Sequence, residues 1–328
     1  MIYNKYYRDG YFIKREKIKQ TFLKNVITKN IAYFFQSILV KTLILISKFN
    51  NKKKQNFKYT VSICGIFKNE ANFLEEWIAY HLVVGIEHFY LYNNNSNDDY
   101  LKILEPYIKE GIIDLIDWPF EQGQMAAYED CYKKRKDETN WLTFIDIDEF
   151  ICPIKYDNLK EFLRSFENYP GIAVYWKQFG SNGKIFHDKD KLVIEQYNQC
   201  WDQFSTFTKM FCNMRFPIIG FNNMHILYSK ILGISIPPVN QFKHIISFGI
   251  NKGEKIDKSP IQINHYWGKA YDCFKSKIER SDAYYGDNVK MGSIKKNLLM
   301  THEEMCTVRD YKIQRYLLAT KLSINKIT

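Results

Sequence analysis

Between residues 60 and 145 the chain alternates short apolar runs with amphipathic stretches and polar turns. Thr60 to Phe67 reads TVSICGIF, a compact apolar run that predicts a buried strand. Asn69 is placed to cap a helix whose Phe73, Leu74, Trp77, Ile78, His81 and Leu82 recur at helical spacing, and Gly85 ends it. Ile86 to Tyr92 reads as a second strand, followed by the polar turn Asn93 to Asp99. A helix over Tyr100 to Lys109 stops at Gly111, and Ile112 to Asp117 is the third strand. Gln124 to Lys136 reads as a helix and Trp141 to Ile145 as the fourth strand. Strand and helix thus alternate four times, which predicts an α/β fold: a mostly parallel, Rossmann-like sheet flanked by helices. Such sheets bind ligands at the carboxyl ends of their strands. The polar clusters Lys68-Asn69-Glu70, Asn93 to Asp99 and Asp146 to Glu149 all fall there.

The first 58 residues have another texture. Ile31 to Phe49 is apolar but broken by Gln36, Lys41 and Ser47, and Lys52-Lys53-Lys54 reads as a linker. A spanning helix wants roughly 20 mostly apolar residues without a central charge. A helix lying in a membrane interface tolerates Lys41, and a helix packed on the body also fits. Charge sharpens the division. Residues 1–59 hold 14 Lys and Arg against Asp9 and Glu16, a net +12 of the chain's +11, so the remaining residues carry −1. A body that gripped nucleic acid by its phosphates would be basic, so nucleic acid is not expected as a partner. The basic arm instead predicts peripheral attachment to the cytoplasmic face of an anionic membrane. The seven cysteines are scattered, without a Cys-x-x-Cys pair, and read as reduced thiols.

Gly65 lies inside the first strand, and no glycine-rich loop follows it, so neither a dinucleotide fingerprint nor a P-loop is present. A Gly-x-Ser-x-Gly elbow is also absent. The feature that carries chemistry is Asp146-Ile147-Asp148-Glu149, directly after the fourth strand. In extended backbone Asp146 and Asp148 point to one side. Two hard oxygen ligands there suit Mg2+ or Mn2+, with a diphosphate completing the shell. A second triplet, Asp188-Lys189-Asp190, has no strand before it.

These motifs resemble the start of a glycosyltransferase of the GT-A fold, and more closely glycosyltransferase family 92 with its bacterial family 2-like relatives. The likeness runs from Val61-Ser62-Ile63-Cys64 and Lys68-Asn69-Glu70 through Leu74 to His81, Tyr92 to Asp98, Gln124 to Cys131 and Asp146 to Phe150. It continues through Trp176 to Gly183, Lys209, His225 and Asn264-His265-Tyr266, ahead of Phe274 and Lys277. The likeness covers about residues 60–282 and implies a GT-A-like domain (59–285); a basic helical arm (1–58) and a helical tail (286–328) fall outside it. It implies metal-dependent, inverting transfer of a sugar from a nucleotide-sugar donor, a UDP-sugar above others. The expected acceptor is a glycan or lipid-linked glycan of surface polysaccharide synthesis.

On the family's pattern Asp148 is the direct metal ligand and Asp146 supports the ribose or a metal-bound water, while His265, after the run Ile261-Gln262-Ile263, is the candidate third ligand as a neutral imidazole. The loop carrying Asn93, Asn95 and Asp98 would receive the base and ribose, with Asn where an acidic residue is more usual. Lys209 or Arg215 would stabilise the diphosphate leaving group. An inverting transfer needs a base for the acceptor hydroxyl, and Glu195 and then Asp202 are the candidates. Two other readings compete. A sugar-phosphate nucleotidyltransferase would need a glycine-rich basic loop after the first strand, and a non-catalytic glycan- or lipid-binding protein would not need the carboxylates.

Overall fold

The protein was studied as a computed structural model, which describes residues 26–50, 56–121, 123–221, 223, 225–246, 256–279 and 298–327. The basic residues 1–25, the Lys52–Lys54 linker and the start of the expected tail lie outside these. Four strands form where the apolar runs predict them: β1 (Tyr59–Phe67), β2 (His88–Asn93), β3 (Ile113–Asp117) and β4 (Thr139–Phe144). They pair in parallel in the order β3-β2-β1-β4. The sheet then becomes mixed. It continues through β5 (Glu149–Pro153), β6 (Gly171–Gln178), β8 (Thr208–Asn213) and β13 (Ile261–His265) in the order β4-β8-β6-β13-β5. β8 is antiparallel to both neighbours, and β13 runs parallel to β6 but antiparallel to β5. This is the α/β, mostly parallel sheet that the alternation implies. Of the short strands, β12 (Val239–Asn240) joins this sheet beside β6, β9 (Ile218–Ile219), β10 (Tyr228–Ile231) and β11 (Ile234–Ile236) form a three-stranded sheet, and β7 (Gln199–Cys200) pairs with β14 (Val308–Arg309).

The helices include α1 (Val26–Asn50), α2 (Ala71–Val83), α3 (Tyr100–Lys109), α4 (Gln124–Arg135), α5 (Leu159–Arg164), α6 (Val193–Gln196), α7 (Tyr271–Glu279) and α8 (Leu317–Ile327), and residues 298–304 are helical as well. Strand periodicity divides the core between two faces. Val61, Ile63 and Phe67 of β1 join Trp77 and Ile78 of α2 and Tyr107 of α3 on one face. Cys64 and Ile66 join Ala127, Tyr128 and Cys131 of α4 on the other. Gly65 sits where β1 passes the end of β4, since a Cβ there would stand 3.3 Å from the Ile145 carbonyl oxygen. All seven cysteines are free thiols.

One local expectation is corrected. Asn69 does not cap α2. It adopts a positive φ of 53°, and its side chain accepts from the Asn97 N–H at 2.8 Å. The cap comes from Asp98, whose Oδ2 accepts from the Ala71 N–H at 2.8 Å, so the loops after β1 and β2 interlock. The described part of the expected tail packs on the domain. Glu303 accepts from the Ser181 N–H at 2.9 Å, Tyr316 donates to the Pro153 carbonyl at 3.0 Å, and α8 packs on α2. Helix α1 is packed on the body, one of the arrangements the sequence left open, through Tyr33, Val40, Leu43 and Ile44. Among the described residues no helix is long and apolar enough to cross a membrane.

Candidate active site

The residues Asp146 to Glu149 form a turn rather than extended strand. The Glu149 N–H donates to the Asp146 carbonyl at 3.1 Å, and the Glu149 carboxylate accepts from the Asp146 N–H at 3.0 Å. Trp77 of α2 holds the turn from below, its Nε1–H reaching the carbonyls of Asp146 (3.1 Å) and Glu149 (2.9 Å). The extended backbone expected over Asp146 to Asp148 is therefore not found, and the two carboxylates take different partners.

Asp146 is bound on both oxygens. Oδ1 accepts from Gln124 Nε2 at 2.8 Å and from the Tyr128 hydroxyl at 3.1 Å. Oδ2 accepts from Lys209 Nζ at 2.8 Å. Lys209 is wholly buried and also lies 3.3 Å from Glu149 Oε2. Burial works against its charge, but the two carboxylates hold its pKa raised. Burial pushes the Glu149 carboxyl well above the usual range, against the pull of Lys209. Lys209 thus serves Asp146 and Glu149. Arg215, the other expected diphosphate cation, sits at the far end of β8. Because β8 runs antiparallel to β4, Met214 pairs its N–H with Asn140 while Lys209 lies by the turn. Lys209 to Asn213 is about 13 Å of strand, and Arg215 lies in the turn beyond it, so Arg215 does not share this site.

Asp148 has other neighbours. β13 lies between β5 and β6, and its last residue, His265, is in register with Glu149. His265 Nε2 stands 3.7 Å from Asp148 Oδ1, and the Trp176 ring lies 4.3 Å from the imidazole. The buried Nδ1 of His265 has no hydrogen-bond partner. Lys277 of α7 brings its ammonium onto Asp148 Oδ2. Burial disfavours an ionised Asp148, yet Lys277 and His265 hold its pKa well below the usual range. Burial lowers the His265 pKa against the pull of Asp148, which favours a neutral ring. Lys269, buried and at a positive φ of 46°, holds its ammonium 4.1 Å from the Phe73 ring centre. Burial lowers its pKa, and Glu70 and Asp148 oppose that.

The loop after β2 is organised largely by its own side chains. Asn93 donates to the Tyr100 hydroxyl (3.0 Å) and Asp117 (3.2 Å), and accepts from the Ser96 N–H (2.9 Å). Asn95 is exposed at a φ of 56°. Asp98 Oδ1 is buried without a hydrogen-bond partner, its other oxygen capping α2. Lys68 is half-buried and Glu70 buried in the adjoining loop. Of the two expected bases, Glu195 pairs its carboxylate with Lys321 of α8 at 2.7 Å. Asp202 is exposed in a segment that runs beside β6, where Trp201 donates to the Gln178 carbonyl (3.0 Å) and Ser205 to that of Trp176 (2.9 Å). Gln124, Tyr128, Lys269 and Lys277 were not anticipated as site residues. Gln124, Tyr128 and Lys277 fall within stretches that carry the family resemblance, but no role was expected of them.

Among the described residues no three His, Cys, Asp or Glu side chains are gathered as a metal cage. Asp148 and His265 nevertheless suit a divalent cation. A carboxylate oxygen and an imidazole nitrogen 3.7 Å apart leave room for bonds of about 2.1 Å to one ion between them. With Lys277 on the opposite carboxylate oxygen, such an ion would need its remaining ligands from water or a bound phosphate.

The chain is similar to several known proteins. The family model for glycosyltransferase family 92 matches residues 57–316. A family 92 protein of Ricinus communis is 27% identical over 235 residues, covering 69% of this chain and 39% of that protein. A galactan beta-1,4-galactosyltransferase of Arabidopsis thaliana is 27% identical over 154 residues, covering 43% of this chain and 30% of that one. The chain spans about two fifths of the length of the family 92 relatives that match it over most of its own length. Among solved structures, S. aureus TarS 1–349 in complex with UDP matches with a TM-score of 0.29 and 16% identity, over 39% of this chain and 38% of that one.

Proposed function

The chain belongs to glycosyltransferase family 92, and on that premise we propose that it is a metal-dependent, inverting glycosyltransferase. The donor is a nucleotide sugar and the acceptor a glycan or lipid-linked glycan. The observation that carries this reading is the Asp148–His265 pair, facing across 3.7 Å beside Lys277 at the carboxyl edge of the sheet.

Asp148 and His265 would hold Mn2+ or Mg2+, whose charge would offset that of the donor's diphosphate. Lys277 and Lys269 add positive charge where negative charge develops as the glycosidic bond breaks, an arrangement that stabilises a leaving group most in a water-poor site. Lys209 supports the same chemistry indirectly, by fixing the turn. On the nucleotide side, Lys68, Asn69 and Glu70 border the loop of Asn93, Asn95 and Asp98, and the unpartnered Asp98 Oδ1 suits a ribose hydroxyl. For the base we favour Asp202, because the Glu195 carboxylate is already paired with Lys321. Asp202 would take the acceptor hydroxyl's proton as the oxygen attacks the anomeric carbon from the face opposite the diphosphate.

Uridine diphosphate sugars are the first donors to examine. UDP-galactose leads because one relative is named as a galactosyltransferase. The test is a panel of nucleotide sugars with Mn2+, reading nucleoside diphosphate release with and without acceptor glycans. Release from one donor, abolished by chelator and by Asp148→Asn, is the expected result. Release that is indifferent to both would overturn the metal-assisted mechanism.

A further inference from the structure

Helix α1 is apolar on two sides, and only one of them is covered. Tyr33, Val40, Leu43 and Ile44 enter the core. Ile31, Phe34, Phe35, Ile38 and Leu45 recur at helical spacing on the uncovered side, with Phe34 61% and Phe35 64% exposed. A second apolar feature adjoins it. Helix α1 packs on β10, and Ile231 and Ile236 of the β10–β11 hairpin share a core cluster with the helix's buried residues. The tip of that hairpin is Leu232-Gly233-Ile234, with Leu232 62% and Ile234 43% exposed. Leu232 adopts a φ of +48°, a conformation in which a leucine is strained and asparagine or glycine is at ease. An exposed, strained leucine at a turn gives the fold no packing in return, so its apolar surface points to a use outside the chain.

We propose that the free side of α1 and the β10–β11 tip together form a docking surface for an anionic lipid bilayer, with α1 lying in the plane of the interface. Charge selects this occupant. Residues 1–59 carry a net +12 against −1 for the rest of the chain, and Lys41 and Lys230 are exposed on the two elements themselves. A basic sequence beside an apolar helical face suits anionic headgroups. A second copy of the chain would bring two such basic arms together, which like-charge repulsion opposes. Because α1 is packed on the body rather than tethered to it, docking would also fix how the sheet's carboxyl edge faces the membrane. The proposal does not depend on the transferase reading.

The experiment is co-sedimentation of the full chain with phosphatidylcholine vesicles, with and without one quarter phosphatidylglycerol, over a salt series. The variants are Phe34→Ser with Phe35→Ser, and separately Leu232→Asn, which keeps the backbone conformation. Their folding is checked by thermal melts. The expected result is binding to the anionic vesicles that weakens with salt and falls roughly tenfold or more in each variant, as losing a buried apolar side chain implies. Equal binding to neutral vesicles, no binding, or binding unchanged by either set of substitutions would overturn it. A wild-type dimer that the Phe34/Phe35 variant converts to monomer would overturn it in favour of a second copy.

Discussion

The two carboxylates of the Asp146–Glu149 turn are two residues apart and differ in almost every physical respect. Asp146 has hydrogen-bond donors on both oxygens, from Gln124, Tyr128 and a fully buried Lys209. Asp148 has Lys277 on one oxygen, and across 3.7 Å from the other a histidine whose second nitrogen has no partner. One half of the turn is saturated with hydrogen bonds and braces the fold. The other has a carboxylate oxygen and a ring nitrogen facing each other across 3.7 Å. A symmetric Asp-x-Asp triplet therefore codes for an asymmetric site, and the two halves should respond differently to substitution.

The largest contrast is expected at Asp148. Asp148→Asn should lower nucleoside diphosphate release by roughly 10²–10³-fold, the scale seen when one charge-stabilising group is lost. Thermal melts should barely move, because Lys277 is partly exposed and can be hydrated. Lys209→Met should behave in the opposite way. Removing the cation leaves Asp146 and Glu149 unpaired around a buried position, which costs about 3–5 kcal/mol; urea unfolding measures it. If Lys209→Met is as stable as wild type, the bracing role assigned to the Asp146 half is wrong. Lys277→Met should spare stability and reduce turnover more than donor affinity, as read by kcat against KM.

Smaller effects separate two kinds of histidine. His81 uses both nitrogens: Nδ1–H donates to the Trp77 carbonyl at 2.7 Å, and Nε2 accepts from the Ile151 N–H at 3.2 Å. Burial lowers its pKa from 6.5 to about 3. The unfolded chain therefore binds a proton in the window from about pH 6.5 down to about pH 3 that the folded chain refuses, and stability should fall as pH falls through it. Urea unfolding at pH 7, 6, 5 and 4 should show this slope reduced in His81→Gln. An unchanged slope would mean that His81 is not held neutral.

How much of this was legible in the sequence depends on the range of the contacts. The first four strands and their helices could be read because each is a local pattern closed by Gly85, Gly111 or a polar turn. The clustering of chemistry at the carboxyl edge could also be read, since it follows from strand direction in a parallel sheet. The turn at Asp146 could not, because a period-two argument assumes extended backbone, while Trp77 and the Glu149 side chain bend it. Arg215 looked equivalent to Lys209 until the antiparallel direction of β8 put them at opposite ends of a strand. Lys277 reaches Asp148 from 129 residues away. Asp98 caps a helix 27 residues before it. Neither pairing leaves a local signal.

The most direct test of the asymmetry is Mn2+ binding in the presence of UDP, followed by the electron paramagnetic resonance signal of free Mn2+, for wild type, Asp148→Asn and Asp146→Asn. The account predicts that Asp148→Asn weakens Mn2+ binding by roughly 10–100-fold, the range for losses within a ligand shell, while Asp146→Asn weakens it less. Wild-type affinity in Asp148→Asn, or an equal loss in both variants, would contradict it.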